Sequence, residues 1–219
     1  TYAFFLLCFY NKSLNIVRQM LAILLIIYGL KYVRNKKYLK CLIIVLIAFL
    51  IHKTSIIGIF IYLIYIAFNK KKTKYYKIAI LLMCILFLII YKPLLNVLIN
   101  NLHVLNSRYN YYISSDKVDI SLSYICFNLV LMGVIIFYYK KLIEYDRYNE
   151  YLTFIVLLGN ILMLLSTQFN FVIRISYYFT YIYMLIIPEI VNLFKNKKRK
   201  ICVIVMLISL ISYNYIYYG

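Results

Sequence analysis

Long apolar runs alternate with short basic blocks along this chain. By sequence count, 18 of the 25 Lys and Arg lie in four clusters, at residues 31–40, 70–77, 140–147 and 195–200. Most apolar runs between them approach the roughly 20 residues that a helix needs to cross a bilayer. Short loops rich in Lys and Arg stay on the cytoplasmic side of a membrane. The pattern therefore predicts an all-α, polytopic transmembrane helix bundle with its four basic clusters inside.

Six segments are the predicted crossings of this bundle. The first, third and fifth run inward and the others run outward: 15–30, 75–91, 120–139, 151–169, 175–194 and 201–218. This order is consistent only if the stretch between the first two basic clusters crosses the membrane an even number of times.

That stretch, residues 41–68, is too short for two full transmembrane helices although both of its ends are basic. It is interrupted once, at His52 and the polar residues that follow it. Two short apolar arms predict a re-entrant or broken helix pair around His52, a backbone tolerated in a membrane only where protein or a wet cavity covers it. The alternative is one long tilted helix with Lys53 reaching the surface, which would invert every later segment.

Composition narrows the class of protein. The chain is 66% hydrophobic and 14% charged, which leaves too few charged residues to cover a soluble domain. The net charge of +19 sits in interhelical clusters, so it favours anionic lipid headgroups over nucleic acid as a partner. Because the sequence begins at Thr1 inside an apolar run, we expect residues 1–219 to be a single transmembrane domain in an N-terminally truncated fragment.

The basic residues outside the clusters are the candidate functional cations. The predicted topology puts Arg18, Arg108 and Arg174 on the outer side, with Arg108 in a long outward-facing loop at 92–119. Guanidinium groups bind phosphate oxygens in a bidentate manner, so these arginines could hold a diphosphate. The alternative for Arg18 and Arg174 is a side chain that reaches the headgroups.

Two kinds of residue could move a proton on the same side. His52 lies at the break in the apolar hairpin and is a candidate general base for a sugar hydroxyl, although a structural histidine is the alternative. Asp116 and Asp119 are the only acids predicted outside, where either could pair with Arg108 or accept a proton. Tyr178 lies one helical turn after Arg174, which places its hydroxyl below the guanidinium.

The sequence has no glycine-rich phosphate loop, no HExxH motif and no nucleophile elbow. This argues against nucleotide hydrolysis and metalloprotease chemistry. An arginine-lined outer site, for which we expect no metal or cofactor, instead suits a lipid-linked substrate that carries a diphosphate.

Three segments resemble the EpsG family of bacterial exopolysaccharide and capsule polymerases, which is related to the Wzy O-antigen polymerases. They are SLNIVRQMLA at 13–22, LIAFLIHKTS at 46–55, and RISYYF at 174–179 before Pro188. Their order and spacing carry the resemblance, which spans most of the chain.

The resemblance implies a glycosyltransferase of the GT-C type in the bacterial cytoplasmic membrane. It would join undecaprenyl-diphosphate-linked oligosaccharide repeat units on the outer side, and other polysaccharide assembly proteins are further candidate partners. The resemblance implies the catalytic residues His52 and Arg174 and the substrate-binding residues Arg18, Gln19, Ser55 and Tyr178. The predicted topology alone adds Asp119 as a catalytic residue and Arg108 as a substrate-binding residue. The alternatives are a flippase of the same lipid-linked oligosaccharide, because carriers also use broken helices, and a membrane acyltransferase that modifies the polysaccharide.

Overall fold

The computed structural model describes residues 16–68, 122–166 and 170–194, together with parts of 196–208. These residues form helices and turns with no strand, which confirms the all-helical prediction for the described part of the chain. The helices are α1 (Val17–Arg34), α2 (Tyr38–Ile51), α3 (Ile57–Phe68), α4 (Leu122–Phe137), α5 (Tyr139–Tyr145), α6 (Tyr148–Leu165), α7 (Asn170–Thr180) and α8 (Tyr183–Asn192).

A tight turn joins α1 to α2 inside the first basic cluster. Lys36 adopts a positive φ of 57°, and Lys37 donates its backbone N–H to the carbonyl of Tyr32, which closes the last turn of α1. Lys31 and Arg34 lie in that turn, where the negative end of the helix dipole favours cations. The two helices then pack side by side in opposite directions, with Cys41 of α2 facing the carbonyl of Gly29.

Helix α2 ends at His52, and the chain turns back there. His52 has an extended backbone (φ −151°, ψ 115°), and a short 3-10 helix, Lys53–Ile56, leads into α3. The Tyr62 hydroxyl donates to the carbonyl of Ile26 at 2.8 Å, and the ring of Tyr65 packs against Tyr148. Helix α3 therefore returns along α1 toward the end at which α2 began.

The later helices form the other half of the bundle. Helices α4 and α5 meet at a bend of 61°, and α7 packs along α6 in the opposite direction. Gly159 of α6 lies so close to Phe179 and Thr180 of α7 that any side chain there would collide with their atoms. The predicted crossing at 175–194 is divided in two, because the helical run is interrupted at Tyr181 and Ile182.

A buried polar chain ties α4, α6 and α8 together at one level. Asn160 donates to the Tyr183 hydroxyl at 2.7 Å, and that hydroxyl donates to the carbonyl of Asn128 at 2.9 Å. All three residues are buried, so each hydrogen bond replaces one that water cannot supply. Asn160 therefore faces the bundle interior.

The bundle has two distinguishable ends. The basic end contains the α1–α2 turn and the start of α6, where Arg34 forms an ion pair with Asp146 at 2.9 Å. The opposite end contains the start of α1, the 3-10 helix and the start of α7. Among the described residues, α6 is long and apolar enough to cross a membrane, and the bent pair α4–α5 passes the same test if it is one span. The 18 residues of α6 correspond to a length of roughly 27 Å, close to the thickness of a hydrocarbon core.

Candidate functional site

The end of the bundle opposite the basic clusters brings together residues from three separate segments. Arg18 lies in the first turn of α1, His52 at the break after α2, and Arg174 in the first half of α7. The positive charges of Arg174 and Arg18 both act on the imidazole of His52, so each arginine lies within electrostatic reach of it. We call Arg18, His52 and Arg174 the cationic cluster.

Gln19 connects the first and third of these segments. Its side-chain amide donates a hydrogen bond of 2.6 Å to the backbone carbonyl of Arg174, and only 3% of the residue is exposed. The preceding residue, Arg18, is exposed on the next face of the helix. Gln19 therefore fixes the backbone that carries Arg174, while Arg18 remains accessible beside it.

A second bond connects the 3-10 helix to α7. The hydroxyl groups of Thr54 and Tyr178 lie 3.2 Å apart, and either can be the donor. Tyr178 is almost fully buried, one helical turn beyond Arg174. This bond holds the segment that follows His52 against the helix that carries Arg174, so the two functional candidates keep a fixed separation.

His52 lies between helices, and its surroundings favour the neutral imidazole. Burial disfavours the charged form, and the charges of Arg174 and Arg18 repel it further, so the pKa of His52 lies below its ordinary value. Its Nε2 atom is buried and has no hydrogen-bond partner among the described residues. A neutral imidazole next to two guanidinium groups can accept a proton while the arginines bind an anion.

The other predicted residues have different positions. Ser55 is fully buried, and its hydroxyl has no partner in the described part of the chain. Gln19, Ser55 and Tyr178 thus lie beneath the cationic cluster and present little surface to a ligand. Arg108 and Asp119 lie outside the described residues, and their roles stay predictions. Within the described ranges, no group of His, Cys, Asp and Glu side chains converges as metal ligands would.

Thr54 is the residue to which the sequence analysis gave no role. Its signal was its place in the polar run after His52, at which the apolar pattern breaks. A 3-10 helix turns every three residues, so neighbours in that run point in different directions. Lys53 is exposed and Ser55 is buried, while Thr54 faces Tyr178. Only the tertiary contact distinguishes these roles.

The model of the EpsG family matches residues 1–219. The match puts the chain in the class of Wzy-like polysaccharide polymerases, whose members act in exopolysaccharide biosynthesis at membranes. Within that class, the chain belongs to the EpsG family. No curated protein and no solved structure matches it significantly.

Proposed function

We propose that this protein polymerises undecaprenyl-diphosphate-linked oligosaccharide repeat units into exopolysaccharide, capsule or O-antigen. The reaction would take place on the outer side of the bacterial cytoplasmic membrane, in a multi-pass GT-C-like bundle. One observation carries the proposal: Arg18 and Arg174 come from distant parts of the sequence and both lie within electrostatic reach of His52, at the end of the bundle opposite the basic clusters. By the positive-inside rule, that end is the outer one.

In this mechanism, Arg18 and Arg174 bind the diphosphate of the donor lipid. The terminal sugar hydroxyl of the acceptor unit attacks the anomeric carbon of the growing chain. As the new glycosidic bond forms, the bond from that carbon to the diphosphate oxygen breaks and undecaprenyl diphosphate leaves. The two guanidinium groups stabilise the charge that develops on the leaving group.

His52 is the proposed base that takes the proton of the acceptor hydroxyl. Its lowered pKa supports this role, because the imidazole stays neutral beside two cations and can accept a proton near neutral pH. Asp119 is the second candidate base, and Arg108 a further diphosphate ligand. Gln19, Thr54 and Tyr178 would position Arg174 and His52. Gln19 bonds to the carbonyl of Arg174, and the bond between Thr54 and Tyr178 links the segment after His52 to the helix that carries Arg174.

The test replaces Arg174 with alanine in the cell's own copy of the protein, with Arg199→Ala as the matched control. Arg199 is an exposed arginine in the fourth basic cluster. Surface polysaccharide and lipid-linked glycans are separated on gels, and the protein level is measured in the same cells. We expect Arg174→Ala to abolish the polymer ladder and leave single repeat units on the outer surface, while Arg199→Ala keeps the ladder.

Each other outcome points to a different function. Repeat units trapped on the inner leaflet would identify a flippase. An unchanged ladder whose sugars have lost acyl groups would identify an acyltransferase. A normal, fully modified ladder at normal protein level would show that Arg174 is only a surface anchor.

A further inference from the structure

Two adjoining cavities open at the basic end, far from the cationic cluster. The first has a volume of about 240 Å³. Its wall contains tyrosine rings and charged side chains of both signs, which are Arg34, Arg147, Asp146 and Glu150. The second has a volume of about 290 Å³ and a largely apolar lining. Phe68 and Glu150 belong to the walls of both cavities. Because the two cavities adjoin at these shared walls, we call them together the slot, with a charged part and an apolar part.

The charged part has no excess of either sign. Asp146 is held by Arg34 through the 2.9 Å ion pair, and the Arg34 guanidinium also lies 5.0 Å from the centre of the Tyr148 ring. Arg147 contributes a second guanidinium to the wall and Glu150 a second carboxylate. A purely anionic ligand would gain from the arginines but would be repelled by the carboxylates. A ligand with one phosphate and one ammonium group matches both signs.

In the apolar part, one helical turn after Glu150, Thr153 offers a hydroxyl group that can still form a hydrogen bond. The residue is 6% exposed and lines the apolar cavity, and its hydroxyl has no partner among the described residues. A buried hydroxyl without a partner costs free energy, so a ligand that accepts a bond from it gains affinity.

These features follow a fixed order along α6. Tyr148 and Glu150 line the charged cavity near the helix start, Thr153 follows one turn later, and Leu157 lines the apolar cavity one further turn along. From Tyr148 to Leu157 the helix rises roughly 14 Å. A glycerophospholipid has the same order over the same distance: a charged headgroup, ester carbonyls and then acyl chains.

We propose that this slot binds one phospholipid with a zwitterionic, primary-amine headgroup, of the phosphoethanolamine type. Its phosphate contacts Arg147, and its ammonium group lies against Glu150 and the tyrosine face of the cavity. An ester carbonyl accepts the hydrogen bond of Thr153, and an acyl chain follows the groove past Leu157. This site is separate from the proposed polymerase site and does not depend on its chemistry.

The test measures lipid binding to the purified, delipidated full chain by native mass spectrometry. Dioleoyl phosphatidylethanolamine and dioleoyl phosphatidylglycerol are titrated separately, since they differ only in the headgroup. We expect the first phosphatidylethanolamine to bind at least about fivefold more tightly, with Thr153→Val weakening it about fivefold, the value of one hydrogen bond. Thr180→Val is the matched control, because Thr180 is also buried with an unpartnered hydroxyl but lines neither cavity.

Three results would overturn the proposal. Equal or tighter binding of phosphatidylglycerol would show a site for anionic lipid only. Equal weakening by Thr153→Val and Thr180→Val would show that the effect comes from the fold and not from the slot. Phosphatidylethanolamine binding as a series of equal weak steps would show only a nonspecific lipid shell. Thermal melts of both variants confirm that the compared proteins are folded.

Discussion

Replacing Gln19 with leucine tests whether the backbone of Arg174 must be held from α1. The substitution keeps similar volume but removes the amide that donates the 2.6 Å bond to the Arg174 carbonyl. In the first half of α7 that carbonyl still accepts its own helical bond, so no buried group is left entirely unpaired. The loss should then be close to one ordinary hydrogen bond, about 1 kcal/mol of folding free energy.

The expected effect on activity is of similar size, because the bond acts on the position of Arg174, the proposed diphosphate ligand. If the whole of the lost bond is felt by Arg174, polymer formation should fall about fivefold. The assay compares the rate of ladder formation by the full chain reconstituted in lipid with synthetic undecaprenyl-diphosphate repeat units. Binding of the donor should weaken along with the rate, since in the proposed mechanism Arg174 contacts the diphosphate in both the ground and transition states.

Asn149→Leu is the matched control for this substitution. Asn149 is equally buried, and its amide donates a 3.0 Å bond to the carbonyl of Leu142, but it lies at the basic end. We expect a comparable loss of stability with an unchanged polymerisation rate. Equal losses of activity in the two variants would refute the positioning role of Gln19, as would full activity in a Gln19→Leu protein that has lost stability.

Three further predictions concern the site and the core. Because burial and the two arginines lower the pKa of His52, nuclear magnetic resonance titration should find that pKa below about 6.5, and Arg174→Gln should raise it. The unfolded chain binds this proton more readily than the folded chain does. The contribution of His52 to stability should therefore be full above about pH 6.5 and fall as the pH drops toward the folded pKa. An unchanged pKa of His52 in Arg174→Gln would show that the charge of Arg174 does not act on the imidazole. Tyr183→Phe should cost about 1 kcal/mol in a denaturation experiment, because Asn160 loses its acceptor; an unchanged stability would mean that the polar chain adds nothing. Gly29→Ala should cost about 1–3 kcal/mol because its Cβ would overlap the Tyr62 hydroxyl, and adding Tyr62→Phe should recover part of the loss.

The sequence predicted the helical class well, since apolar runs and basic clusters recur at lengths that only helices explain. It predicted helix ends less accurately. Helix α1 continues to Arg34, past the expected end at residue 30, because the long stems of Lys31 and Arg34 can follow an apolar surface while their charges reach water. The helix break at Tyr181 could not be predicted from a glycine or proline, because neither residue lies there. Pro188, which would predict a break, lies inside α8.

The site was predictable only in part, for a related reason. Order and spacing of three short motifs predicted which segments form the candidate site, and Arg18 and Arg174 both lie within electrostatic reach of His52. Which polar side chain faces a ligand and which faces a neighbouring helix depends on rotation about each axis. Gln19 was predicted to bind substrate, yet its amide faces the Arg174 carbonyl in the structure. The sequence of a single protein does not determine how each helix is rotated about its axis.

The hydrogen bonds and ion pair between the two halves of the bundle have a consequence for how the chain is held together. Residues 16–68 and 122–194 are joined at one end by Gln19 and Thr54, in the middle by the Tyr151 hydroxyl on the carbonyl of Ile61, and at the other end by Arg34. Because these contacts lie at three levels of the bundle, the two halves should stay associated without the peptide segment that links them. A protease cut between residues 68 and 122 should therefore yield two fragments that still migrate as one particle in mild detergent and separate only when the fold is lost.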